Sequence, residues 1–118
     1  MADSILRVRS KQFAIDVIEV CREMRNRKIE FSLTDQLLRS GTSIGANIHE
    51  AQFAHGTRDF ISKLEIALKE CNESDYWLDI LLSTGSIDEV KCRKLMTECG
   101  EIRKMLVSSV TTLKSNNK

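Results

Sequence analysis

The chain has 118 residues and a mass of 13.4 kDa, enough for one domain and too short for two ordinary ones. Its 18 basic and 17 acidic residues nearly cancel, which excludes the strongly basic balance of a dedicated nucleic-acid binder. A hydrophobic content of 42%, only 5% aromatics and no proline exclude a wholly disordered chain and favour helices over strands.

The apolar spacing predicts four amphipathic helices. The first covers about residues 4–27, with Phe13, Val17, Val20, Cys21 and Met24 at intervals of three and four. The second, about 33–54, carries Leu37, Gly41, Ile44, Ile48 and Ala51 on one face. The third, about 58–83, aligns Phe60, Leu64, Ala67, Cys71, Leu78 and Leu81, and the fourth, about 87–113, aligns Leu95, Cys99, Ile102, Leu106 and Leu113. Each stripe repeats near seven residues, the seam of a bundle. Loops of two to five residues make neighbouring helices antiparallel. The expected fold is all-α, a single up-down-up-down antiparallel four-helix bundle over residues 1–118.

The breaks carry start and stop signals. Ser86 followed by Glu89 reads as a capping box, and Gly85 suits a left-handed helix end. Thr57 with Asp59 opens the third helix, Gly56 closes the second, and Ser32 or Thr34 opens it. The tail from Ser115 to Lys118 is expected to fray. Gly41 and Gly45 inside the second helix each cost roughly 1 kcal/mol against alanine, so close packing of another backbone is expected to offset them.

Candidate chemistry is sparse. Cys21, Cys71, Cys92 and Cys99 show no CxxC pair and no zinc spacing, and read as buried reduced thiols. A di-iron bundle needs Glu-x-x-His on two helices, and this pattern is absent from the sequence. No metal, no cofactor and no enzymatic activity are therefore expected. The acids of the third helix, Glu65, Glu70, Glu73, Asp75 and Asp79, read as a solvated or interface face. Asn47, Glu50, Asn72 and Glu73 flank the apolar stripes and are expected to fix register or oligomer state by demanding hydrogen-bond partners. Tyr76 and Trp77 are candidates for a subunit interface. No apolar stretch nears the roughly 20 residues that span a bilayer, and the N-terminus lacks the apolar run of a signal peptide, so a cytoplasmic protein is expected.

One stretch has a specific look. Arg39-Ser40-Gly41-Thr42-Ser43-Ile44-Gly45-Ala46-Asn47-Ile48-His49-Glu50-Ala51 resembles the second-helix signature of the bundle family named for the 23S rRNA intervening-sequence protein. The signature positions are Arg39, Ser40, Ser43, Ile44, Asn47, Ile48 and Glu50. Phe60 to Leu81 resembles the family's third helix, and Thr84-Gly85-Ser86-Ile87 resembles its turn. The resemblance implies a small bacterial bundle with no cofactor. Relatives that serve as the accessory variability determinant of diversity-generating retroelements form pentameric rings and bind nucleic acid and a reverse transcriptase through a basic surface. It therefore implies a homo-oligomer, with a homopentamer leading, and RNA, DNA or a reverse transcriptase as partner. The alternative is an oligomeric protein-binding scaffold with no nucleic-acid role.

Two features depart from those relatives: His49 stands where many carry a small residue, and the net charge is near zero. The candidate phosphate contacts are Arg22, Arg25, Arg27 and Lys28 at the end of the first helix and Lys91, Arg93 and Lys94 early in the fourth. These two groups are expected at opposite ends of the bundle.

Overall fold

In a computed structural model, which describes residues 2–116 and the side chains of residues 5–116, α1 (Ala2–Asn26), α2 (Phe31–Ala51), α3 (Thr57–Ser83) and α4 (Glu89–Asn116) follow one another. The fold is an all-α antiparallel four-helix bundle, with no strand among the described residues. Around the bundle, α1 packs on α2 and α4, and α3 packs on α2 and α4; between the diagonal pairs no Cα atoms come within 8 Å among the described residues. The α2–α3 seam is the most extensive and the α1–α4 seam the least. The molecule measures 50 × 21 × 20 Å, the shape that helices of 21–28 residues give at about 1.5 Å per residue.

The core follows the seven-residue stripes. Phe13, Val17, Leu37, Ile44, Ala67, Cys71, Leu78, Leu81, Ile102 and Leu106 are sealed from solvent, and Leu6, Ile61, Cys92 and Val110 extend the same faces. Phe60 and Leu113 are half-buried and pack on its edge. Burying side chains of this size stabilises the fold by roughly 1.5–3 kcal/mol each before conformational entropy is subtracted.

Gly41 shows why α2 tolerates glycine. A Cβ there would sit 3.0 Å from both methyl groups of Val17 on α1, so the glycine lets two backbones approach. Gly45 faces the Ser10 carbonyl in the same way, at 3.4 Å from a would-be Cβ.

Helix ends differ from the expected caps in several places. The fourth helix starts at Glu89, and Asp88 caps it by accepting the Lys91 amide at 2.9 Å. Ser86 turns inward instead, is buried, and shares a 2.7 Å hydrogen bond with the Thr84 hydroxyl. Gly85 does take the left-handed conformation (φ 68°), with the Ser86 amide on the Leu81 carbonyl and the Gly85 amide on the Leu82 carbonyl. The second helix starts at Phe31 without a side-chain cap: Thr34 is buried within it and donates to the Phe31 carbonyl. Gly56 does not close α2, which stops at Ala51; with φ 94° it precedes α3, while Asp59 reaches back to the His55 amide at 3.1 Å. Ser115 and Asn116 continue α4, and Asn117 and Lys118 lie outside the described residues.

All four cysteines are buried and free. Cys21, Cys92 and Cys99 donate to the Thr34, Leu78 and Cys71 carbonyls at 3.5, 3.4 and 3.4 Å. Burial pushes the Cys21 and Cys92 thiols up to about 11, and a hydrogen bond with Cys99, together with burial, pushes Cys71 up further. Such thiols stay protonated and unreactive at neutral pH.

Candidate nucleic-acid interface

The seven candidate phosphate contacts lie at one end of the bundle, not at two. Arg27 donates to the Ser86 carbonyl at 3.0 Å, and Lys91 pairs with Glu23 at 2.6 Å, so the end of α1 sits beside the start of α4. The reason is topological: in an up-down-up-down chain, α1 ends where α2 begins, where α3 ends and where α4 begins.

Their surroundings divide them. Arg25 donates to the Thr34 hydroxyl at 3.1 Å, lies 4.4 Å above the Phe31 ring and has Asp35 at 3.8 Å, so it is built into the α1–α2 corner. One of its nitrogens, Nη2, is buried with no hydrogen-bond partner. Arg93 pairs with Glu89 one turn earlier, at 3.0 Å, and Lys91 is held by Glu23. Lys94 lines a cavity of about 210 Å³ with Asp16, Glu19, Glu23 and Glu98. Arg22, Arg27 and Lys28, all exposed, have no carboxylate partner among the described residues. Lys28 also occupies the left-handed position that ends α1 (φ 63°), where glycine is the usual residue.

The second-helix signature is spent inside the subunit. Ile44 and Ile48 are core residues. Ser40, fully buried, accepts from Ser74 on α3 at 3.0 Å. Arg39 pairs with Glu70 at 3.4 Å and with Glu73, and Glu73 also accepts the Trp77 indole N–H at 3.2 Å. Ser43 donates to the Arg39 carbonyl and Glu50 pairs with Lys63 at 3.6 Å. Asn47 does not bridge helices as expected: its amide turns back to the Ser43 carbonyl at 2.8 Å, because that carbonyl one turn earlier is within reach and no partner on α3 is needed. Asn72 likewise points to solvent.

Residues 3–108 match the 23S rRNA-intervening sequence protein family. The chain belongs to that family. A crystal structure of a protein of unknown function from the S23 ribosomal protein family of Bacteroides thetaiotaomicron is similar at 41% identity, covering 94% of this chain and 99% of that one, with a TM-score of 0.90. No curated protein matches the chain. Within this family member, Tyr76 and Trp77 take different roles. Their rings meet edge to face at 5.1 Å, but Trp77 is half-buried against the core with its N–H bound to Glu73, whereas Tyr76 is 57% exposed.

Sequence reasoning missed Arg7 and Lys11. They stand on α1 beside a groove of about 620 Å³ whose α2 side includes His49, and no carboxylate lines it. Their i, i+4 spacing was visible, but the absence of a facing acid depends on which helix packs alongside. Among the described residues, no group of three His, Cys, Asp or Glu side chains converges in a way that could hold a metal, and no helix is long and apolar enough to cross a membrane.

Proposed function

We propose that this protein is a cytoplasmic, non-enzymatic, homo-oligomeric accessory bundle that associates with RNA, on its own or alongside a reverse transcriptase. The observation that carries the reading is the end of α1, where Arg22 and Lys28 stand exposed with no carboxylate partner and Arg27, which lines a cavity with Glu23 and Asp88, makes no ion pair with either, while Arg25, Lys91 and Arg93 are paired with acids and Lys94 is faced by four. Phosphate oxygens are the partners such cations take, and three per subunit become a usable number when subunits repeat. Tyr76, exposed and aromatic, supplies the anchor for the contact between subunits, and a closed ring such as a pentamer is the assembly proposed.

Two measurements test this reading. Nuclease-treated protein is titrated with structured RNA at low and near-physiological salt, and binding that persists at the higher salt supports the reading. Loss of that binding in an Arg22→Gln, Arg27→Gln, Lys28→Gln variant that still melts cooperatively locates it; unchanged binding in the variant overturns the location. Sedimentation of wild type against Tyr76→Ala tests the assembly, with dissociation expected for the variant.

A further inference from the structure

The groove between α1 and α2 is the second feature of the surface that the bundle does not use for itself. Arg7, Lys11, Ala14, Thr42, Gly45 and Ala46 form its walls and floor, over about two turns of each helix. Three properties define what it fits.

The floor is low and chemically closed. Ala14, Gly45 and Ala46 project little beyond the backbone, and the nearby Ser10 and Thr42 hydroxyls donate to carbonyls of their own helices, Arg7 at 3.3 Å and Leu38 at 2.7 Å. No hydroxyl is left to bind a phosphate oxygen, whereas a third helix can lie close against small residues. The surrounding surface is apolar: Val8 is 69% exposed beside the groove, and Phe53 is 71% exposed against the His49 ring, whose centroid lies 5.5 Å away. Val8 on α1 and Phe53 just beyond α2 thus offer apolar surface beside the groove for a partner to cover. The charged residues are all cations. Arg7 and Lys11 make no ion pair among the described residues, while the cavities between α1 and α4 are lined with Asp16, Glu19, Glu23, Glu98 and Asp88.

From these observations we infer that the α1–α2 groove is a docking site for an acidic amphipathic helix of a partner protein. Bulky apolar residues of that helix lie on the Ala14–Gly45–Ala46 floor and against Val8 and Phe53, and its flanking carboxylates pair with Arg7 and Lys11. The site is separate from the end of α1 and stands whether or not that end binds RNA.

The test uses the full chain and a designed helical peptide of about five turns, with leucines on one face and glutamates beside them, titrated by fluorescence anisotropy and amide shift mapping. A twin peptide carries lysine in place of glutamate. The acidic peptide is expected to bind at least about tenfold more tightly than the twin. Its shifts should centre on Ala14, Thr42, Gly45 and Ala46. Lys11→Glu, a surface change, should remove the preference, and Ala46→Trp should block both peptides without altering the thermal melt. Equal affinity for the two peptides, or no binding, overturns the inference. So do shifts centred elsewhere, concentration-dependent shifts at Ala14 and Ala46 in the chain alone (a second copy in the groove), and displacement of the peptide by RNA at these same residues.

Discussion

Ser74 donates a 3.0 Å hydrogen bond to Ser40 across the buried α2–α3 seam, and Ser40 donates in turn to the Leu37 carbonyl at 3.4 Å. Both hydroxyls are sealed from solvent, so each depends on the other or on backbone for a partner. Ser40→Ala strands the Ser74 proton and is expected to cost about 1–3 kcal/mol, whereas Ser74→Ala leaves Ser40 with its carbonyl and costs about 1 kcal/mol or less. The double variant is expected to be more stable than Ser40→Ala alone, since two apolar methyls replace a broken pair. Urea denaturation of the four proteins checks this, and strictly additive losses would show the two serines to be uncoupled.

Glycines 41 and 100 are expected to answer alanine with opposite signs. Both sit inside helices, where alanine gains roughly 1 kcal/mol of propensity. A Cβ at Gly100 meets nothing within 4 Å, so Gly100→Ala should raise stability by about that amount. At Gly41 the Cβ lands 3.0 Å from two Val17 methyls, and overpacking of roughly 1–3 kcal/mol outweighs the gain. Thermal melts of the two variants decide it.

Lys28 separates stability from binding. A lysine held at φ 63° costs roughly 1–2 kcal/mol that glycine does not incur. Lys28→Gly is therefore expected to stabilise the bundle while weakening RNA binding, because it removes one of the three unmatched cations. If melting temperature and RNA affinity rise together, Lys28 is not a contact.

The buried thiols set an alkaline limit. Cys21 and Cys92 titrate at about 11 in the folded chain, pushed up by burial from 9.0. Between those values the unfolded chain has already lost protons that the folded chain keeps, so stability falls as pH rises. The contribution is complete below about pH 9 and is lost on passing about pH 11. Urea midpoints followed from about pH 8 to about pH 11 should fall more steeply for wild type than for Cys21→Ala, Cys92→Ala. Parallel curves would mean that the thiols do not carry the effect.

The heptad stripes were legible because burial in a bundle imposes one period on the whole chain. Phe13, Leu37, Ile44, Leu78 and Leu106 could be placed from spacing alone. Caps were less legible: Ser86 and Asp88 both suit a helix start, and only the depth at which the turn packs decides that Ser86 goes inward and Asp88 caps. The candidate site was half legible. Seven basic residues could be named, but their neutralisation comes from acids on other elements, such as Glu23 against Lys91, and from the helix order that brings α1 and α4 together at one end. Arg39 could be named from the signature, but its pairing with Glu70 and Glu73 depends on how α3 packs alongside.

The most direct measurement is the salt dependence of RNA binding by wild type and by the Arg22→Gln, Arg27→Gln and Lys28→Gln single variants. Three phosphate contacts per subunit correspond to a slope of log affinity against log salt of about −2 to −3, and each substitution should flatten it by a little under one unit, about 0.7–0.9. Equal slopes for wild type and all three variants, or binding that vanishes at near-physiological salt, would contradict RNA association through the end of α1.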